Sequence, residues 1–510
     1  QNKPVPVAST QWWGFQPTFM KRLRDSRDLN GDKRVATNLG DGDYGASGQN
    51  LTWCNKYIGD QSGTMCVLDC DIPYYRTALG IMLAAELEYY KKNYTKSLDY
   101  LNVIAKRAYG KDKYYKDATA AGVLAANGIR VYIFPELMPT PLVSYAVRRL
   151  HCSSGIVLTA SHNPSKYNGF KCYDPNGYQM TDEAAAKTYS YIQNIDMFSG
   201  VKTMDFEDAL AEDMVDYIED WLKDEFIEQV LACSVNPEVV KKSGLKVLYT
   251  PLNGTGNKPV RRVLKKLGVE DLRVVKVQEK PDGNFPTCPY PNPEIRQVFE
   301  EGLKMTEEFP ADLMLATDPD CDRVGIAVRD NGEYKLMTGN EVGAMLCEYL
   351  LSQLKEKGQL PEKPVVVKTI VTTPLISAIC KEYGAEMADL LTGFKYIGEQ
   401  IAILEAEGEE NRFVFGFEES YGYLAGGYVR DKDAVVASML ICEMAAYHRT
   451  CGKSLVQVIE EIYAEYGRYL HVTSSFTFEG SSGMATMANI MNKLHTEPIA
   501  DIAGYKVVSV

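Results

Sequence analysis

The feature that most constrains this chain is an alternation of short apolar runs with amphipathic stretches, sustained from about Thr119 onward. Ile129–Phe134 (IRVYIF) reads as a buried strand, Pro139–Leu150 carries helical spacing, and Gly155–Leu158 (GIVL) reads as a second strand that ends in a polar loop. Leu245–Tyr249 runs into the Gly-rich turn Thr250–Gly256 (TPLNGTG) and then a basic helix. Leu313–Ala316 leads into Asp318–Arg323 (DPDCDR), and Val365–Val371 and Arg412–Phe415 repeat the pattern. Strands alternating with helices predict layered α/β structure with parallel strands. Each polar loop follows the C-terminal end of a strand, the edge where open α/β sheets bind ligands. Over 510 residues, the recurring unit predicts several similar α/β domains facing one central cleft, about three or four at roughly 150 residues each.

The first part of the chain reads differently. Residues 1 to about 75 are rich in Gly, Asp, Asn and Trp and show little periodicity. Tyr74–Ala108 then predicts two amphipathic helices joined near Asn93. That hairpin resembles the tetratricopeptide-type pair of SusD-like outer-membrane glycan-binding proteins; an ordinary helical hairpin is the equal alternative.

Bulk properties narrow the partners. A net charge of -13 with no long Lys/Arg run argues against a nucleic acid or an anionic membrane, and leaves room for a small anion held by a local cluster of donors. The twelve cysteines include no Cys-x-x-Cys pair, so neither zinc nor a disulfide framework is expected, and for the region after about residue 119 reduced thiols in a cytosol follow. No apolar run approaches the ~20 residues that span a bilayer. The sequence opens at Gln1 rather than Met, which leaves room for a preceding or removed targeting segment.

Three loops carry chemistry. Thr159–Pro164 (TASHNP), followed by Asn168–Lys171 (NGFK), places Ser161 beside His162, which can handle a proton, and Lys171, which supplies positive charge near an anion. A serine hydroxyl is a weak nucleophile without such help. A lone serine in a turn would read as a turn former, and no Gly-x-Ser-x-Gly elbow marks a serine hydrolase. Asp318, Asp320 and Asp322 alternate in one short loop. At ~4 Å and an effective dielectric of ~20, each close pair of carboxylates costs on the order of 4 kcal/mol. A hard divalent cation relieves that cost, and oxygen-only ligands favour magnesium over zinc; Arg323 is left free to meet a phosphate or hydroxyl. Gly416–Tyr423 (GFEESYGY) offers a carboxylate and a hydroxyl able to grip vicinal sugar hydroxyls. In Arg430–Asp433 (RDKD) two readings stand level, charged capping of the helix that follows and a functional Lys432. Thr392–Lys395 (TGFK) is ambiguous in isolation.

These elements in this order resemble the α-D-phosphohexomutases, the phosphoglucomutase/phosphomannomutase family. TASHNP with NGFK resembles its phosphoserine loop, DPDCDR its metal loop, and TGFK and GFEESYGY its sugar-recognition segments. TPLNGTG, PDGNFPT with PNPE, and GFEESYGY are most similar to the branch of bacterial phosphoglucomutases and phosphopentomutase-like enzymes. The resemblance runs from about residue 119 to 510. It implies mixed-sheet α/β domains around a central cleft and an intramolecular phosphotransferase acting on hexose 1- and 6-phosphates, glucose foremost. It implies Ser161 as the phosphorylated donor and acceptor, and one Mg²⁺ held by Asp318, Asp320, Asp322 and the serine phosphate. His162, Lys171, Arg323 and Lys432 would supply protons and charge, and Thr392, Gly393, Glu418 and Ser420 would bind the sugar. A sugar bisphosphate would serve as primer, in a cytoplasmic monomer or homodimer with no nucleic acid or membrane partner.

The implied layout is an atypical N-terminal region with the helical hairpin (1–118), a phosphoserine domain (119–205), a metal-binding domain (206–330) and a sugar-recognition domain (331–465). A linker and the start of a truncated fourth domain (466–510) follow. The family's FGTAGLRG and RxSGTEP motifs are not found, and Asn253 stands where the family has His; residues 1–117 are then foreign to the mutase. The competing reading is a non-catalytic carbohydrate-binding protein built on a truncated or chimeric scaffold, using Trp12, Trp13 and Trp53. A phosphatase reusing the same serine and metal is a third.

Overall fold

The computed structural model describes residues 39–43, 50–54, 115–195 and 200–470, and most positions from 476 to 506. The chain divides into two compact units, one comprising residues 1–115, 196–201 and 472–510, the other 116–195 and 202–471. The expected hairpin at Tyr74–Ala108, Trp12 and Trp13 lie outside the described residues. In the first unit, β1 (Leu39–Asp43) pairs antiparallel with β2 (Asn50–Cys54), which contains Trp53.

The second unit opens with the helix Tyr115–Ala126 and four short strands, β3 (Val131–Ile133), β4 (Gly155–Val157), β5 (Lys171–Tyr173) and β6 (Val215–Tyr217). β3 pairs in parallel with β6, and β4 pairs antiparallel with β5. The Ile129–Phe134 segment is therefore not the buried strand its composition suggests. Ile129 is 49% exposed and Tyr132 41%, because a two-stranded ribbon offers one small face to cover, closed by Ala121, Ala125, Ala209 and Val215.

A five-stranded sheet follows, made of β7 (Lys246–Thr250), β8 (Asp271–Val274), β9 (Leu313–Thr317), β10 (Val324–Asp330) and β11 (Glu333–Met337) in the order β11-β10-β9-β7-β8. β7, β8 and β9 run parallel, while β10 is antiparallel to both its neighbours. The turn from β10 to β11 is Asn331-Gly332, both at positive φ, the pair favoured in two-residue hairpins. The next sheet holds β12 (Val365–Thr369), β13 (Glu386–Leu390), β14 (Phe413–Glu418) and β15 (Gly422–Ala425) in the order β13-β12-β14-β15. Here too the parallel strands gain one antiparallel neighbour, β15 against β14. The sheets are mixed, where the sequence pattern alone predicts parallel ones. Five-residue β9 is buried throughout, as is β14, so both read as continuous apolar runs.

Behind both sheets runs the helix Ala434–Thr450, buried at every position from Ala434 to Ala446. A helix apolar on all sides belongs in a core. It packs on the helices Pro237–Ser243 and Asn257–Leu267. Its one buried acid, Glu443, accepts hydrogen bonds from the Val235 N–H (2.9 Å), the Asn236 N–H (2.8 Å), the Tyr349 hydroxyl (3.0 Å) and the Ser234 hydroxyl. Those amides precede the helix Pro237–Ser243, where its dipole favours negative charge. The N-terminus of the long helix is fixed by Asp433, whose Oδ1 accepts the Val435 N–H (2.7 Å) and the Val436 N–H (3.3 Å).

In the first unit, the helix Gly480–Thr496 precedes a two-residue ribbon of β16 (Asp501–Ile502) and β17 (Tyr505–Lys506). Among the described residues no helix is long and apolar enough to cross a membrane, and the cysteines from Cys152 to Cys451 are free thiols.

Glu443→Ala strands four donors at once, three of them on buried residues. It should destabilise the chain by about 3 kcal/mol or more in denaturant unfolding, because each unsatisfied buried donor costs about 1–3 kcal/mol before relaxation. A loss under about 0.5 kcal/mol, the range of ordinary surface changes, would refute this account of the core.

Candidate active site

Ser161 lies in the connection of the β4–β5 hairpin, whose ladder pairs Val157 with Lys171 and Gly155 with Tyr173. The Thr159 N–H extends that ladder by donating to the Gly169 carbonyl at 3.1 Å. A Cβ on Gly169 would sit 2.1 Å from the Thr159 carbonyl oxygen, so this approach requires glycine. Beyond it, the Asn163 N–H and side-chain amide both donate to the Ala160 carbonyl at 3.1 Å, closing a tight turn. Ser161 itself takes a left-handed conformation (φ 54°) and donates its N–H to Thr159 Oγ1 at 2.8 Å. That backbone costs an L-residue about 1–2 kcal/mol. It aims Oγ between His162 Nδ1 and Asp318 Oδ2, each 3.2 Å away.

Asp318 begins the six-residue connection from β9 to β10. Its Oδ1 accepts the Asp322 and Arg323 N–H groups, both at 3.0 Å, which curls the loop around one carboxylate. Cys321 turns the corner at φ 56°. Asp320 Oδ2 accepts from the Thr140 hydroxyl (3.1 Å) and Lys171 Nζ (2.9 Å), and Asp322 Oδ2 from the same Lys171 Nζ (2.9 Å). Lys432 Nζ pairs with Asp322 Oδ2 at 3.4 Å. The three carboxylates each offer an oxygen within 4.8 Å of the others, and none is more than 4% exposed. Oδ1 of Asp320 and Oδ1 of Asp322 are buried with no hydrogen-bond partner.

Unpartnered carboxylate oxygens in a buried like-charge cluster are costly unless a cation completes them. Oxygen donors from three acids and one hydroxyl fit a hard divalent ion such as Mg²⁺. The electrostatics show the same demand. Burial and the charges of Asp320 and Asp322 push the Asp318 carboxyl well above its ordinary range. Burial acts on Asp322 in the same direction, but Lys171, Lys432 and Arg323 outweigh it and hold that carboxyl far below. Burial and the nearby Arg323 push the His162 imidazole down to about 4, so near neutral pH its ring is uncharged and able to accept a proton.

Glu418 ends β14, and its Oε1 accepts the Gly393 N–H at 2.9 Å; Gly393 sits at φ 125°, a region closed to other residues. Burial raises the Glu418 carboxyl against the pull of Lys432 and Arg323. Lys432 Nζ also lies 5.4 Å from the centre of the Phe394 ring. It reaches the acids over Gly422, where a Cβ would stand 2.2 Å from the lysine Cδ. Backbone contacts join the two acidic loops: the Val324 N–H donates to the Tyr421 carbonyl at 3.1 Å, and Arg323 bridges Gly422.

Ser161, His162, Lys171, the three aspartates, Arg323 and Lys432 thus meet in one linked cluster, and Glu418 with Gly393 stands beside Lys432. Thr392 is exposed and Ser420 half-buried, and neither side chain makes a hydrogen bond among the described residues. Arg323 is not free, contrary to the sequence expectation. Its Nη1 lies 3.4 Å from Glu294 Oε1 and its Nε 3.7 Å from Asp322 Oδ1, beyond hydrogen-bond reach, so it is held between two acids. In Arg430–Asp433, Asp433 caps the helix, as the capping reading expects, and Lys432 faces the acidic loop. Thr140, Glu294, Phe394 and Asp431 complete the surroundings. Glu294 lies in PNPE, Phe394 in TGFK and Asp431 in RDKD, none of them with a role of its own in the sequence reading, and Thr140 lies in no motif.

Family models for phosphoglucomutase/phosphomannomutase α/β/α domains I, II and III match residues 113–198, 224–332 and 338–466. The chain is 36% identical to a phosphoglucomutase of Staphylococcus haemolyticus over 389 residues, covering 76% of this chain and 69% of the relative. It is 34% identical to a phosphoglucomutase of Staphylococcus aureus over 391 residues, with the same coverage. A crystal structure of a Burkholderia thailandensis phosphoglucomutase/phosphomannomutase family protein shares the fold with a TM-score of 0.54 at 19% identity, covering 76% of this chain and 73% of that one. A Paramecium phosphoglucomutase, parafusin, in an open form gives a TM-score of 0.52 at 17% identity, covering 69% and 64%.

If the orphaned oxygens mark a cation site, millimolar Mg²⁺ or Mn²⁺ should raise the thermal midpoint of the metal-stripped chain. A cation at 100 times its Kd stabilises by about 2.7 kcal/mol. Asp320→Asn should abolish most of that shift. An unchanged midpoint with either ion would remove the site.

Proposed function

Because the chain belongs to the phosphoglucomutase/phosphomannomutase family of phosphosugar mutases, we propose that it interconverts hexose 1-phosphate and hexose 6-phosphate through a phosphorylated Ser161 and a sugar bisphosphate intermediate. Glucose is the proposed hexose, on the strength of the phosphoglucomutase relatives. One observation carries the reading: Ser161 Oγ lies 3.2 Å from a carboxylate 157 residues away, at the lip of a buried acidic trio with two orphaned oxygens.

Asp318, Asp320, Asp322 and an oxygen on Ser161 would hold one Mg²⁺, which neutralises charge on the phosphoryl oxygens when bound. The residues of the chain do the rest. When Ser161 receives a phosphoryl group, its Oγ forms the new P–O bond as the sugar O–P bond breaks; the Oγ proton, which the uncharged His162 ring is placed to accept at Nδ1, is replaced by one the departing sugar oxygen takes up, so that the proton count is unchanged. In the reverse half, a sugar hydroxyl attacks phosphorus and gives up its proton, the P–Oγ bond breaks, and Oγ regains a proton. A phosphoserine carries about -1.5 to -2 charge. Lys171, paired with Asp320 and Asp322, and Lys432, paired with Asp322, bring positive charge to the trio to which that charge would add. Arg323, held between Asp322 and Glu294, keeps a third positive charge in fixed orientation. Positioning and electrostatics of this kind supply most of the catalysis in phosphoryl transfer.

Sugar recognition is assigned to Glu418 and Ser420, with Thr392 and Gly393 beside them. Glu418 has one oxygen engaged by Gly393, which leaves the other for a hydroxyl. The bisphosphate must present first one phosphate and then the other to Ser161, so it primes the cycle and must survive without hydrolysis. Near-complete burial of the acidic trio favours transfer to a sugar over transfer to water.

Peptide mass analysis should find phosphate on Ser161 after incubation with glucose 1,6-bisphosphate. Ser161→Ala should lower interconversion of glucose 1-phosphate and 6-phosphate by at least about a thousandfold, the scale of removing a nucleophile. A folded Ser161→Ala chain with full mutase activity ends this proposal; release of inorganic phosphate in place of isomer would make the chain a phosphatase.

A further inference from the structure

Asp431 has no part in the roles assigned above, yet its carboxylate accepts four hydrogen bonds at 1% exposure. Oδ2 takes the Tyr173 hydroxyl at 2.6 Å and the Gln179 amide at 2.9 Å. Oδ1 takes the Lys432 backbone N–H at 2.8 Å and Lys432 Nζ at 3.3 Å. Burial opposes its charge, but Lys432 and Lys171 outweigh burial and keep the carboxyl below its ordinary range. An asparagine has a single acceptor oxygen and could not serve donors on both sides. The position therefore asks for a carboxylate.

Followed outward, these contacts close a ring. Asp431 holds Lys432, Lys432 reaches Asp322 at 3.4 Å, and Asp322 takes Lys171 at 2.9 Å. Lys171 and Tyr173 are two apart on β5, so their side chains leave the same face, and Tyr173 returns to Asp431. The members come from residues 171–173, 322 and 431–432, one piece from each of the three family-matched segments. β5 is also the strand that closes the Ser161 hairpin. Where the Tyr173 hydroxyl is anchored thus decides where Lys171, and the loop it borders, sit over the acidic trio.

We infer that Asp431 is a positioning residue: it sets Lys171 and Lys432 against Asp322 and registers the serine hairpin with the acidic loop. The inference rests on the mutase reading for its consequence in turnover, but not for its consequence in cation binding.

The test uses the full chain with Asp431→Asn, Tyr173→Phe, Lys432→Met and the Asp431→Asn/Lys432→Met pair. Asp431→Asn should lower kcat by about 10- to 100-fold while KM moves less than about threefold. Manganese titration followed by electron paramagnetic resonance should show Mn²⁺ bound about tenfold more weakly. Tyr173→Phe, which keeps the packing and loses one donor, should move both quantities the same way by a smaller factor. In the Lys432→Met background, Asp431→Asn should add less than about threefold, because a residue acting through its neighbour is not additive with it. Wild-type kcat and wild-type Mn²⁺ affinity in a folded Asp431→Asn chain overturn the inference, as does an additive cycle. Should Asp431→Asn fail to fold, Tyr173→Phe decides by the same two readouts. A parent chain that interconverts no phosphosugar sinks the mutase reading alone, and the Mn²⁺ titration still judges Asp431.

Discussion

Three carboxylates in a six-residue loop, all buried, set the terms for the rest of the second unit. Each close pair repels by on the order of 4 kcal/mol at an effective dielectric of ~20, more than the loop's own hydrogen bonds return. The compensation has to be imported, and it comes from far along the chain: Lys171 from β5, Lys432 from the start of the core helix, Thr140 from the helix Thr140–Arg149. Counting Asp431 with the trio gives four acids against Lys171, Lys432 and Arg323. A divalent cation alone would tip that balance to positive, and a phosphoserine alone would deepen the negative excess. Together they nearly cancel, about +2 against about -1.5 to -2. Carrying both therefore leaves the site close to the net charge it has with neither, whereas either one alone shifts it.

The loops that meet there are strained in the same way. Ser161, Cys321 and Tyr421 all take left-handed backbone conformations without being glycine, at about 1–2 kcal/mol each. Such outliers persist only where the surroundings over-determine them. Here the surroundings are the β4–β5 ladder, the carboxylate of Asp318 gathering two amides, and the backbone contacts that tie 323–324 to 421–422. Behind them the helix Ala434–Thr450 supplies the stability, each fully buried Leu, Ile or Val contributing about 1.5–3 kcal/mol. The apolar core and the polar site are therefore one construction, joined where the Ala434 N–H donates to the Cys321 carbonyl at 3.3 Å.

How much of this was legible in the sequence depended on whether the information was local. TASHNP and DPDCDR point to chemistry because a candidate nucleophile and base are neighbours in the one and candidate ligands in the other, and the structure brings Ser161 Oγ to 3.2 Å from Asp318. The mixed sheets were implied by the family resemblance and not by the strand–helix rhythm, and the short connections explain them. The connection from β9 to β10 spans residues 318–323 and that from β14 to β15 spans 419–421, far too short for the crossover of a dozen or more residues that a parallel pair needs. What composition could not reveal were long-range partners. Arg323 looks free until Glu294 arrives beside it, Ile129–Phe134 looks buried until β6 proves to be its one described neighbour, and Asp431 looks like part of a cap until Tyr173 points at it.

The two large sheets solve the same problem twice. In each, an apolar parallel strand runs to its C-terminal end, delivers an acid there, turns within a few residues, and comes back antiparallel; the acids are Asp318 at the end of β9 and Glu418 at the end of β14. The returning strands are then stitched together, Val324 to Tyr421 and Arg323 to Gly422, so the separation between the acidic loop and the Glu418 loop is set by backbone rather than by flexible side chains. Gly422 shows how tight the fit is, since any side chain there would occupy the path of Lys432. On the proposed function, in which one sugar presents two different ends to a single serine, a fixed distance between the Glu418 loop and the acidic loop would be a strong filter on which sugars can complete the cycle. Specificity of that kind would reside in the span between the two loops, and no single side chain at either end would reveal it.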